Sequence, residues 1–430
     1  MSDTSGLRNF ADLLHPRHGR PAVPKPVADD VTTRYQLFPG FPSKKTKSPS
    51  HMSDAGQIWP PPPLDDEDVL TEILCRLPPL PSSFMHASLT CKLWGRLVNS
   101  AAFRCRVVDH HRHAPIFGVY EKYARTLRFI PALHVPDRIP PKRFSLKVGA
   151  DGSATVDHWD VLECRHGRVL VINLTRRELL VFDPVSGDRR AIAFPLDFLN
   201  NICTANGAAV WEDEGAGHSS KFRVVLVGFW GDGGEGKVAA RVYSSETGEW
   251  GDLVAAPDRP EPCLVGRLPC TLVGNGLYWW LAEPLGSILQ FDFGTQNLTI
   301  IDKPPIANIN IGCSRIIRGK DGTQLGLAVL SYPTLQIYDR EVGSHGALMW
   351  VLRKTLHMDK ILGLPTRMAD RDTFIRGYAE DAGAIVMSAP HGIRNALYIV
   401  QLESMKHREI HGNFFESSYH PFANFYIGRP

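Results

Sequence analysis

The sequence predicts an α+β multidomain chain: a small N-terminal helical domain followed by an all-β, propeller-like domain. Three observations predict it. Between residues 64 and 103, apolar side chains recur at the three-four spacing of amphipathic helices. After Phe103 that period gives way to short strand-like runs broken by Gly, Asp, Asn and Pro. Those runs then repeat at a period near fifty residues, with several strands per unit, which is the signature of propeller blades.

Residues 1–63 come first and are read as a disordered tail. They are rich in Pro, Ser, His and basic groups, show no sustained periodicity, and end in the polyproline run Pro60–Pro63. Residues 1–51 hold eight Lys or Arg against four Asp, whereas the whole chain of 430 residues is only +3. The folded body is therefore close to neutral, which argues against a nucleic-acid groove, since phosphate neutralisation supplies most of that affinity. Lys44, Lys45 and Lys47 form a weak nuclear-import pattern, and a solvated charge cluster is the plainer reading. Met52-Ser53-Asp54 repeats the opening Met1-Ser2-Asp3, so Met52 is a second candidate translation start.

Residues 64–112 are expected to be helical. Leu70, Ile73, Leu74 and Leu77 fall on one face, and Asp65, Asp66, Glu67 and Asp68 crowd the first turn, where carboxylates cap free N–H groups. Pro78 and Pro79 end that helix. Ser82 and Ser83 are candidate caps for a second helix carrying Phe84, Ala87, Cys91, Trp94 and Val98 at three-four spacing. Two such short helices expose more apolar face than they can bury against each other, so some of it should meet a partner or another domain.

These residues resemble the F-box. The matching pattern is V-L-x-E-I-L-x-R-L-P-P at Val69–Pro79, A-S-L-x-C-K-x-W-x-x-L-V at Ala87–Val98, and S-x-x-F at Ser100–Phe103. One departure is that Asp65-Asp66 stand where the family has Leu-Pro. The resemblance implies docking on a Skp-type adaptor and, through it, a cullin. By position in the motif, the implied contact residues are Leu70, Ile73, Leu74, Leu77, Pro78, Leu89, Cys91, Lys92, Trp94 and Leu97.

Residues 113–430 carry the strands. Arg165–Asn173 precedes Leu179–Asp183; Lys221–Trp230 pairs with Val238–Ser244; Asn275–Ala282 precedes Ser287–Phe293. Further along, Thr323–Ser331 precedes Leu335–Asp339, and Ala384–Ser388 precedes Ala396–Leu402. Asp183, Ser244, Asp292 and Asp339 are read as turn anchors of successive units. Five units can be counted, Ile116–Ile130 forms or completes another, and six or more blades are expected. This region is similar to the kelch-like domains that follow the F-box in plant F-box proteins, although the doubled-glycine kelch signature is absent. The resemblance implies that the propeller presents an unidentified protein target for ubiquitination, with no bond chemistry of its own. Target contacts are expected in the loops Gly231–Lys237, Ala282–Gly286 and Arg340–His345.

Other chemistry is weaker. Gly231–Val238 (GDGGEGKV) has phosphate-loop spacing, but it ends in Val and runs into a strand pattern where a helix is required. His110, His111 and His113 are near in sequence, yet adjacent histidines diverge on a helix. No G-x-S-x-G nucleophile motif occurs. Eight cysteines are scattered singly without zinc-ligand spacing and are read as reduced, buried thiols of a cytoplasmic or nuclear protein. Trp230, Trp250, Trp279, Trp280 and Trp350 are read mainly as inter-blade core. No apolar run approaches the roughly 18 residues of a membrane span. No residue set is assigned to a metal or cofactor.

Overall fold

The computed structural model describes residues 66–123, 126–147, 159–196, 198, 202–211, 221–230, 237–257, 268–281, 286–302, 304–306, 312–366, 373–391, 394–410 and 419–425. The tail 1–63 therefore lies outside the described residues.

The helical part has four helices where the spacing predicted two: α1 (Glu67–Cys75), α2 (Pro81–Thr90), α3 (Lys92–Val98) and α4 (Ala101–His111). Asp66 caps α1, its side chain accepting from the Asp68 and Val69 amides. The expected second helix is broken at Cys91, whose backbone is extended (φ −158°, ψ 170°). Cys91 consequently leaves the apolar stripe and is exposed. Ser82 and Ser83 do not cap α2. Pro81 takes its first turn, and the Ser82 amide donates 2.7 Å to the Asp137 carboxylate, which belongs to the β domain. Inside this module Leu70, Leu74, Phe84, Val98, Phe103 and Val107 form one core.

The remainder is six four-stranded antiparallel sheets. The first sheet contains β1 (Ile116–Tyr123), β2 (Thr126–Pro131) and, after the short helix α5 (Pro141–Phe144), β3 (Leu146–Lys147). The second has β4 (Trp159–Arg165), β5 (Arg168–Asn173), β6 (Glu178–Phe182) and β7 (Arg189–Ala193). The third has β8 (Ile202–Trp211), β9 (Phe222–Trp230), β10 (Lys237–Ser244) and β11 (Val254–Ala255). The fourth has β12 (Thr271–Val273), β13 (Gly276–Trp280), β14 (Ile288–Asp292) and β15 (Asn297–Ile301). The fifth has β16 (Ser314–Arg318), β17 (Leu325–Ser331), β18 (Thr334–Val342) and β19 (Leu348–His357). The sixth has β20 (Phe374–Ala379), β21 (Ala384–His391), β22 (Arg394–Gln401) and β23 (His407–Ile410).

The last strand, β24 (His420–Ala423), returns to the first sheet and pairs with β1, giving the order β24-β1-β2-β3. That pairing closes the ring by joining the last described strand to the first in one blade. β24, β4, β8, β12, β16 and β20 are the inner strands; most neighbours touch directly, and β8 reaches blade four through the Asn206 amide, 2.8 Å from the Leu268 carbonyl.

The core lies between blades, one apolar cluster per gap. Trp279 and Trp280 show why the pattern works. Adjacent strand residues point to opposite faces, so Trp279 packs toward blade three and Trp280 toward blade five. Both are buried. Trp250 and Trp350 pack at the cluster margins. A sheet buried on both faces needs neighbours on both sides, which only radial stacking supplies.

Turn anchors divide in two. Asp183 and Asp292 accept backbone amides two or three residues on, and Ser244 does the same for Glu246. Asp339 is different. It lies inside β18, buried, with Arg353 of β19 3.4 Å away, and the turn falls at Gly343–Gly346. The apparent repeat at Asp339 reflects an outer hairpin, β18–β19, longer than the outer hairpins of the other blades.

Candidate functional site

Helical wheels of α1 and α2 each present two faces. On α1, Leu70 and Leu74 point inward and Val69 and Ile73 point outward. On α2, Phe84 and Ala87 are core while Met85 and Leu89 face solvent, Leu89 being 76% exposed. Glu67 and Arg96 pair across α1 and α3, and the His111 ring lies 2.9 Å from the Cys75 carbonyl, fixing α4 to the end of α1. The result is a small module with Val69, Ile73, Met85 and Leu89 on its solvent side.

The motif-implied contact residues thus separate. Ile73, Pro78, Leu89, Cys91 and Lys92 are exposed; Leu77, Trp94 and Leu97 are half-buried against the module core; Leu70 and Leu74 are inside it. Val69, which opens the motif, and Met85, which lies outside it, face outward beside Ile73 and Leu89 although neither is among the implied contact residues. Their signal is the i, i+4 spacing to those two residues.

The module is fastened to the propeller. Leu80 packs against the blade-one and blade-two cluster, Phe425 after β24 packs into the helical core, and Asp137 caps α2. The closing strand and the helical module therefore share packing.

Charge concentrates at the propeller axis. Arg165, at the end of β4, is almost fully buried, 2.8 Å from Glu163 and 2.9 Å from Glu380. Glu380 follows β20 and also meets Arg318 of β16 at 3.0 Å and the Leu272 amide of β12 at 2.8 Å. Arg165 further donates to the Ala209 carbonyl of β8, and Cys270 lies 3.3 Å from it. Blades two to six meet in this one cluster. Burial pushes the Glu163 carboxyl up to about 7, against the pull of Arg165 and the Ala209 amide. Glu380 goes the other way: its two arginines and its hydrogen bonds together outweigh burial and hold it below the usual carboxylate range. Further along the axis burial lowers His420 to about 4 and Arg315 to about 9.

This cluster has no nucleophile–base pair open to solvent, and its partners satisfy one another. It reads as a staple. Among the described residues no group of His, Cys, Asp and Glu is arranged to hold a metal. His110 and His111 stack edge to face at the end of α4, and His113 faces Glu403. Lys237 opens a strand, so a phosphate loop has no helix to run into. Residues 231–236 and 282–285, which hold most of two expected target loops, lie outside the described residues; Arg340–Val342 of the third are strand.

A four-helix module carrying the F-box pattern, seated on a closed six-bladed propeller, defines a substrate-receptor architecture. Residues 66–106 match the F-box domain, and residues 160–389 match the family described as F-box protein AT5G49610-like, beta-propeller. The second match covers more than half of the chain, which belongs to that family of plant-type F-box proteins. No curated protein matches it. Among solved structures, TolB from Acinetobacter baumannii is similar at 12% identity and a TM-score of 0.40, over 75% of this chain and 71% of that one. An oligogalacturonate lyase in complex with manganese is similar at 10% identity and a TM-score of 0.34, over 71% and 81% of the two chains. No helix among the described residues is long and apolar enough to cross a membrane.

Proposed function

We propose that this chain is the substrate-recognition subunit of a cullin-type ubiquitin ligase, acting in the cytoplasm or nucleus. Residues 64–112 dock on a Skp-type adaptor and through it on cullin; residues 113–430 hold a protein target. The observation that carries this reading is the outward apolar set Val69, Ile73, Met85 and Leu89 on a module of the F-box family. Of the motif residues, Ile73, Pro78, Leu89, Cys91 and Lys92 make direct contact. Trp94, Leu77 and Leu97 complete the surface on docking, and Leu70 and Leu74 hold its shape.

The receptor performs no bond chemistry. Its contribution is proximity, raising the effective concentration of target lysines near the ubiquitin thioester. Rigid seating of the F-box on blade one supports this, because it fixes the distance between adaptor and target.

The test is affinity purification of the full chain with and without proteasome inhibition. Adaptor and cullin should co-purify, and target proteins should accumulate under inhibition. Adaptor without cullin would indicate an interaction scaffold with no ligase output.

A further inference from the structure

Six outer strands form the rim of the propeller, and five of them are protected in familiar ways. β3 and β11 are two residues long, β23 is four, β15 is five, and β7 (RRAIA) opens with two arginines. Short or charged edges prevent strand-to-strand association. β19 breaks the rule. It is ten residues long, nearly all exposed, and pairs only with β18 among the described residues.

Its first half, Leu348-Met349-Trp350-Val351-Leu352, is an unbroken apolar run. Such runs belong to strands covered on both faces and paired on both edges, yet Leu348, Met349, Val351 and Leu352 are all exposed. Val342, opposite Leu348 on β18, is exposed too.

The run is also nearly palindromic about Trp350. In antiparallel self-pairing with a two-fold axis at Trp350, Leu348 of one copy faces Leu352 of the other, Met349 faces Val351, and Trp350 faces Trp350. Side chains alternate along a strand, so Leu348, Trp350 and Leu352 of both copies share one face, with Met349 and Val351 on the other. Aromatic and branched cross-strand pairs of this kind stabilise sheets. The same register keeps like charges apart: Arg353 of one copy stands roughly 20 Å from its symmetry mate, six strand steps away.

We propose that β19 is a homodimer interface, in which a second copy of this chain pairs edge to edge through Leu348–Leu352 and joins two fifth blades into one eight-stranded sheet. Two-fold antiparallel pairing is isologous and closes on itself, so it yields a dimer and no filament. The inference is independent of the ligase reading, and in a ligase it would place two receptor arms on one assembly.

The test is the mass of the full chain in solution, by sedimentation velocity over a concentration series. The wild type should show a monomer–dimer equilibrium. Leu348→Lys with Leu352→Lys should shift it to monomer by at least tenfold in dissociation constant, whereas Arg190→Glu on β7 should leave it unchanged. Hydrogen exchange supplies a second readout: amides of residues 348–352 should lose protection on dilution in the wild type. A wild type monomeric at all concentrations, or a dimer that survives the double lysine variant, overturns the proposal. A monomer whose β19 amides stay protected would also overturn it, assigning the edge to a strand from elsewhere.

Discussion

Glu380, which follows the inner strand of blade six, places its carboxylate 2.9 Å from the guanidinium of Arg165 on the inner strand of blade two. The blade between them is the one closed by β24. An ion pair thus spans the seam where the ring is joined, and Arg318 extends it to blade five. Next in sequence, Asp381 accepts from the His166 amide, while its own carbonyl accepts from Ala114, the residue that leads into β1.

Removing one partner of a buried ion pair leaves an uncompensated charge, a loss of about 3–5 kcal/mol. Glu380→Ala removes the acidic partner of Arg318 and leaves buried Arg165 with Glu163 alone as its counter-charge. Urea unfolding should show a loss of that size, with intact far-ultraviolet circular dichroism before the transition. A change below about 1 kcal/mol would mean the cluster is solvated and contributes little.

Two buried groups give opposite pH responses. Glu163 titrates near 7 in the fold and near 4.5 unfolded, so its contribution to stability is lost as pH rises toward 7. His420 titrates near 4 in the fold and 6.5 unfolded, so its contribution is lost as pH falls from 6.5 toward 4. The two offset each other between those limits. Glu163→Gln should therefore make urea midpoints fall more steeply on acidification than in the wild type, and His420→Asn should do the reverse. Parallel pH profiles for all three proteins would contradict both assignments.

Ring closure rests on aromatic packing around Phe422, which meets Phe117, Tyr120, Phe129 and Phe144 with centroids 5.5 to 6.3 Å apart. Phe422→Ala should cost about 3–5 kcal/mol. Protease sensitivity should rise first in blade one, read by mass spectrometry of early fragments. Uniform cleavage across blades would indicate that closure does not depend on this strand.

Within the F-box, Leu74 and Leu89 separate shape from contact. Leu74 is 1% exposed, and Leu74→Ala should cost about 2–5 kcal/mol of module stability. Leu89→Asp should leave the thermal transition almost unmoved, because surface changes of this kind stay within about 0.5 kcal/mol. Equal destabilisation by the two would show that Leu89 is packed in solution.

Much of this was readable from residue order. Strand pairings such as Lys221–Trp230 with Val238–Ser244 follow from alternation, and β9–β10 has that register. The break at Cys91 was hidden because α2 and α3 keep a common apolar spacing across one extended residue. Asp339 imitated a turn anchor because buried and exposed aspartates look alike without their partners. The axial staple was illegible for a different reason: Glu380 and Arg165 are 215 positions apart, and only ring closure brings them together. Separation of Leu70 and Leu74 from Val69 and Ile73 needed the neighbouring helices, since every apolar position on α1 satisfies a helical period somewhere.

The central claim is that the exposed apolar side chains of the F-box bind an adaptor. Isothermal titration of a Skp-type adaptor into the full chain, wild type and Leu89→Asp, tests it most directly. Loss of a well-buried interface anchor costs about 2 kcal/mol or more, which is over tenfold in Kd. The account predicts saturable one-to-one binding by the wild type and at least that weakening in a variant of unchanged thermal stability. No binding by the folded wild type, or equal affinity in the two proteins, would contradict it.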